Sequence, residues 1–224
     1  MNPPDRPAKH ALAVPAALAI AVVAAAAWPG AFEALAWDRA AARAGEWWRA
    51  VTGQFVHLGP GHAAMNLAGL AVLAAAFRDE FGAGAWAGAF AASLAGVAAG
   101  LVFGPNPVDW YAGLSGALHG VLGAGAVGWI RRGRRAGWLL VAALAGKLAW
   151  ETLAGASSVS TWLTGGPVLV AAHAWGAAGG VAYALAVLAV RGRAGPGGYN
   201  APPRPGLPGG AERTRAARSR PPEE

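Results

Sequence analysis

The chain has 224 residues, 55% of them hydrophobic and only 13% charged, with a formal net charge of +7 and no cysteine. Soluble domains carry roughly 25% charged residues, so this composition excludes an ordinary one. The missing thiols exclude a cysteine nucleophile, a thiolate metal site and a disulfide scaffold, and no basic residues interleave with aromatics on a polar face, as a nucleic-acid binder would require.

In chain order, residues 1–10 form a short polar lead expected in the cytoplasm, followed by an apolar run over 11–28. Arg6 and Lys9 ahead of that run, with small residues after it, suit a signal peptide. However, the run exceeds the usual apolar core of roughly 7–15 residues, and Trp28-Pro29 stands where an interfacial anchor belongs. The run therefore reads as a retained first span. Residues 29–61, with Trp37, Trp47 and Trp48 beside Glu46 and Arg49, read as a connection lying in the membrane interface. Further apolar runs follow at 62–77, 84–104, 115–130, 137–154 and 167–190. About 20 helical residues cross a bilayer, and these runs fit with some tilt. Residues 191–224 are rich in Gly, Pro and Arg, cannot bury a core, and read as a disordered basic tail.

The expected architecture is an all-α membrane protein, a six-transmembrane-helix bundle over residues 11–190. Arg6, Lys9, Arg78, the cluster at Arg131, Arg132, Arg134 and Arg135, and the tail arginines would lie on one side, with Arg39, Arg43 and Arg49 opposite. The positive-inside rule then places both termini in the cytoplasm. Small-residue pairs at Gly84/Gly88, Gly96/Gly100, Gly116/Gly120 and Gly176/Gly180 would let helix backbones approach closely.

Polar groups in membrane helices are costly and mark function or pairing. Gly113-Leu114-Ser115-Gly116 follows a proline-interrupted segment, Pro105 to Tyr111, and opens a run of only about 24 Å at the helical rise. Ser115 is thus expected at a sunken helix N-terminus, where exposed N–H groups could hold an oxyanion. His173 lies about 9 Å into a last helix starting near Pro167, which matches that depth. Glycines flank both residues, so a Ser115–His173 hydrogen bond for base-activated attack is expected. His62 and Asn66, four apart, share a helix face and suit an oxyanion hole supplementing the Ser115 N–H; His57, in the preceding loop, is expected to shape the fold. Lys147 and Glu151 are also four apart. They read either as a structural pair or as a contact to substrate. Asp109 could order its loop or contact substrate. The chemistry requires no metal, no cofactor and no third acidic residue.

Trp47-Trp48-Arg49-Ala50-Val51-Thr52, continuing to His57, His62 and Asn66, resembles the W-R-x-x-T and H-x-x-x-N pattern of the rhomboid intramembrane proteases. Gly113-Leu114-Ser115-Gly116 resembles their G-x-S-G motif, and His173 with Gly176 their last helix. The resemblance covers about residues 11–190 and implies a serine endopeptidase in a bacterial inner membrane, its site opening to the outer, periplasmic side. One departure is His119, where rhomboids commonly carry an apolar or aromatic residue. Together with Lys147 to Glu151, it is similar to the rhombosortase branch. That likeness implies membrane-anchored substrates with a C-terminal tail: a Gly-Gly signature, an apolar helix and a basic end. His119 would then tune the site or bond to a neighbouring helix. The rival readings are a general rhomboid, an inactive rhomboid-like client binder and a small transporter.

Overall fold

The computed structural model describes residues 12–155, 161, 162 and 164–193. The polar lead and the tail beyond Arg193 lie outside the described residues. Residues 1–189 form one compact unit, and of a second, residues 190–224, only the end of the last helix is described. The elements run α1 (Ala13–Ala27), α2 (Ala31–Leu35), β1 (Trp37–Asp38), α3 (Arg39–Arg43), α4 (Arg49–Thr52), α5 (Pro60–Ala76), α6 (Ala83–Phe103), β2 (Trp110–Tyr111), α7 (Ser115–Arg131), α8 (Ala136–Ala154) and α9 (Val170–Arg193). Each of the six apolar runs overlaps one long helix.

Two of these, α6 and the Val170–Arg191 part of α9, are long and apolar enough to cross a bilayer; α1 and α5 are apolar but shorter. The outward faces carry the inverse of a soluble pattern. Ile20, Val72, Leu139 and Leu153 are exposed, whereas a surface helix of a soluble domain turns polar residues outward. Beneath them lies a core built from Phe77, Trp86, Phe90, Leu114, Leu118 and Val121.

Helix α7 is the hub, packed against α5, α6 and α8 and touching α9 through glycine. Of the predicted small-residue pairs, Gly116/Gly120 and Gly176/Gly180 face each other, whereas Gly84 meets open space and Gly88 the Tyr183 ring. A Cβ on Gly176 would land on the Gly116 carbonyl, and one on Gly180 on the Gly120 carbonyl. On the α6 side, Gly96 meets the Trp175 backbone and Gly100 lies under the Trp175 ring. No side chain separates α7 from α9 along this seam, so their backbones are in contact, as lipid-embedded helices without a hydrophobic drive between them need.

The last helix starts at Val170 rather than near Pro167. Gly165 has φ +74°, and the Thr164 hydroxyl donates ahead to the Gly166 carbonyl at 2.7 Å. Pro167, Val168 and Leu169 stay outside the helix and line a cavity. Local turn chemistry thus uses up the first three residues of the apolar run.

The seam makes a measurable demand. Gly176→Val should force α7 and α9 apart, at about 1–3 kcal/mol for overpacking, and so lower the thermal midpoint in detergent. Gly146→Val, where an added Cβ meets open space, should leave that midpoint nearly unchanged. Equal effects of the two would contradict the seam.

Candidate active site

The site is framed by a loop stitched at several points. Trp37 and Asp38 pair antiparallel with Tyr111 and Trp110. The Trp37 indole Nε1 donates to the Val108 carbonyl at 2.8 Å, the Arg39 N–H to the Asp109 carbonyl at 2.9 Å and the Gly113 N–H to the Gly53 carbonyl at 3.0 Å. Arg49 donates to the carbonyls of Glu33 (2.8 Å) and Ala36 (3.0 Å) and pairs with Glu46 at 2.5 Å. The Thr52 hydroxyl donates to the Leu35 carbonyl at 2.8 Å. These bonds satisfy irregular backbone that would otherwise be left unpaired. Asp109 takes part only through its backbone here: its side chain is exposed and does not line the cavity.

Gly113 has φ +120°, a conformation that favours glycine, and a Cβ there would come within 2.7 Å of the His62 ring. Both constraints make this position glycine. Leu114 is fully buried and Ser115 begins α7, so the leucine anchors the turn that presents the serine. Gly116 lies against the Ala172 carbonyl and Val97, bringing the start of α9 over the start of α7.

There the Ser115 Oγ lies 3.0 Å from His173 Nε2. His173 is the fourth residue of α9, about 4.5 Å from its start at the helical rise rather than about 9 Å. The two side chains meet because both occupy helix N-termini held together by the glycine seam, not because of equal distance along two helices. On its other side, His173 Nδ1 lies 2.8 Å from Glu151 Oε2. The second Glu151 oxygen accepts from Lys147 Nζ. A carboxylate only accepts, so His173 Nδ1 carries the proton and Nε2 is left to accept from the serine hydroxyl.

His119 stacks on the His173 ring at 4.1 Å between centroids and 14° between planes. Its Nδ1 lies 2.7 Å from the Ser115 carbonyl, to which it must donate. His119 therefore braces a face of the His173 ring, while its hydrogen bond stays within α7 rather than reaching a neighbouring helix. His62 and Asn66 are buried on α5 and line the same cavity, of about 580 Å³, as Ser115, His119, Lys147, Glu151 and His173. One Asn66 amide hydrogen goes to the His62 carbonyl at 3.0 Å, and the other remains for a ligand. Met65, Val72, Leu118, Leu122 and Leu169 make the remaining wall largely apolar.

Tyr111 carried no mark in the sequence beyond its closeness to the Gly113-to-Gly116 motif. It is buried, and its hydroxyl donates to the Gly113 carbonyl at 2.7 Å. Burial pushes its phenol up, with a backbone contact at Gly116 and the Ser115 side chain acting the other way. It thus stays a neutral donor supporting the turn.

His119, Glu151 and His173 place donor atoms within 4.8 Å of one another. Those of His173 and Glu151 are already engaged with Ser115, Lys147 and each other, so a metal would have to break the arrangement described.

His57 packs edge-on against His62, with ring centroids 4.8 Å apart. Burial first, and the neighbouring His62 second, lower it from an ordinary 6.5 to about 4. The unfolded chain takes up this proton below about pH 6.5 and the folded chain only near 4. The stability tied to neutral His57 is therefore whole above 6.5 and lost as pH falls towards 4. Between about pH 7 and about 4.5, the thermal midpoint should fall less in His57→Phe than in the unsubstituted protein; equal falls would count against this.

Comparison with known proteins agrees with the geometry. The family model described as the rhomboid domain matches residues 44–190. Over 81 residues, 36% of this chain, the sequence is 40% identical to the rhomboid protease GluP of Bacillus subtilis (strain 168). The match takes in 15% of that relative's own length. With the matched domain extending over more than half of its residues, the chain belongs to the rhomboid family of membrane-embedded proteins.

Proposed function

We propose that this protein is an intramembrane serine endopeptidase in which Ser115 is the nucleophile and His173 its base. The observation that carries this reading is the 3.0 Å contact of Ser115 Oγ with His173 Nε2, on the wall of an apolar cavity. The relative's printed name, a rhomboid protease, supports the same chemistry.

The reaction follows from the contacts. Ser115 Oγ attacks the scissile carbonyl carbon as its proton passes to His173 Nε2. Negative charge develops on the carbonyl oxygen and is met by the Ser115 N–H, the second Asn66 amide hydrogen and His62, donors set in place before reaction. Collapse of this intermediate breaks the C–N bond, and His173 returns the proton to the leaving amine. Water then attacks the Ser115 ester while giving a proton to His173, releasing a carboxylic acid and restoring the hydroxyl. An amine in place of water would give transfer instead of hydrolysis.

The six long helices act as six spans in this reading, with both termini cytoplasmic and the Ser115 end of α7 facing the outer side of a bacterial inner membrane. Arg131, Arg132, Arg134 and Arg135 at the other end of α7 support that orientation. The substrates proposed are proteins held by a C-terminal tail of rhombosortase type. A serine near the outer face reaches only backbone free of helical hydrogen bonds, and glycines ahead of an apolar segment supply it, being the weakest helix formers after proline. A basic end keeps that segment's C-terminus cytoplasmic. The alternative is a general rhomboid protease without tail specificity, which the likeness to GluP accommodates equally.

Ser115→Ala and His173→Ala should each lower turnover by about 10⁴-fold or more, and the double variant should cost little beyond either, since residues acting as a unit are not additive. Cleavage of a membrane-anchored reporter and labelling by a fluorophosphonate are the measurements. Wild-type turnover in Ser115→Ala would overturn the reading.

Specificity is tested with a co-expressed reporter ending in Gly-Gly, an apolar helix and an Arg-rich terminus. Mass spectrometry should find the new C-terminus within or beside the glycine pair, and replacing that pair by leucines should stop processing. Equal cleavage of the leucine reporter would leave the general rhomboid.

A further inference from the structure

We propose that Glu151, held by Lys147, is a positioning residue that completes a Ser115–His173–Glu151 triad in place of a simple dyad; this rests on the protease reading above. Glu151 is the sole acidic residue within the six long helices among the described residues. A carboxylate at such a place is costly and calls for a return. Neutralising Lys147 would not require it to face inward. Yet Glu151 is buried, with its side chain 8% exposed, and turns one oxygen to His173 Nδ1 at 2.8 Å, while Lys147, 46% exposed, takes the other.

The arrangement defines the histidine on three sides. Nε2 meets Ser115, Nδ1 meets Glu151, and one ring face meets His119, itself tethered to the Ser115 carbonyl. Without the carboxylate, the buried Nδ1–H would lack its acceptor and the ring could adopt the other tautomer. That tautomer presents N–H to Ser115 and cannot take its proton. In serine-protease triads the acid holds the tautomer and stabilises the imidazolium that forms, an effect of about 10⁴ in kcat when an amide replaces it. Lys147 offsets part of the carboxylate charge here, so the effect should be smaller.

The test uses the full chain in detergent or in liposomes, with Glu151→Gln as a near-isosteric change. Expected is a fall in kcat of about 10²-fold, KM within about threefold, and a matching fall in fluorophosphonate labelling rate. The thermal midpoint should stay close to that of the unsubstituted protein, which separates positioning from packing. A second measurement does not depend on how the variant folds: nitrogen-15 histidine NMR of the unsubstituted protein should show a strongly deshielded Nδ1 proton, assigned by its loss in His173→Ala. Glu151→Gln with kcat within threefold of the unsubstituted enzyme, or no deshielded proton in that enzyme, overturns the triad. If Ser115→Ala is inactive while Glu151→Gln is fully active, the triad fails and the dyad stands. If Ser115→Ala still cleaves, the protease reading itself has failed.

Discussion

Contact between the backbones of α7 and α9 is the constraint on which the rest of the site depends. Gly116 and Gly120 meet Gly176 and Gly180 with no side chain between them, so the two helix N-termini converge. Ser115 and His173 are carried at those converging ends. A hydrogen bond tolerates only a few tenths of an ångström of error, and a single methyl in the seam would exceed it. Small residues here are thus a requirement of the Ser115–His173 contact as much as of helix association.

Around this seam the protein resolves a conflict between depth and irregularity. Ser115 stands at a helix N-terminus and needs a turn before it, and a turn leaves backbone groups without helical partners. The ribbon of β1 with β2, the Arg49 and Thr52 bonds to carbonyls near α2, and the Gly113 bond to Gly53 supply those partners. The Trp-Arg-x-x-Thr pattern is therefore a device for satisfying backbone; it holds the turn before Ser115 without touching Ser115.

Five polar side chains around the cavity form one connected set. Lys147, Glu151, His173, Ser115 and His119 each bond or stack to the next. In a low-dielectric setting such a set is stable only when nearly all members are satisfied. This also explains why the tautomer of His173 can be assigned: every partner but one in the chain has a fixed role as donor or acceptor.

Sequence by itself marked where the six long helices lie, because long apolar runs leave a membrane chain few options and their ends are marked by proline, glycine and arginine; the short helices α2 to α4 and the β1–β2 ribbon were not legible in it. It also marked Ser115, His173, His62 and Asn66 as residues to be brought together, since an intramembrane polar group must be accounted for. The glycine spacings pointed to close approach, and the structure pairs Gly116 and Gly120 with Gly176 and Gly180 across one seam but leaves Gly84 facing open space. What tertiary structure decided was orientation. Lys147 and Glu151 are four apart in any helix, but only the rotation of α8 against α9 turns Glu151 towards His173. The roles of His119 and Tyr111 likewise depend on distances across elements, which no local pattern encodes. The start of α9 moved from Pro167 to Val170 because a glycine turn and cavity contacts outweighed apolar periodicity. Periodicity reports which faces a helix buries; it does not report what stands opposite them.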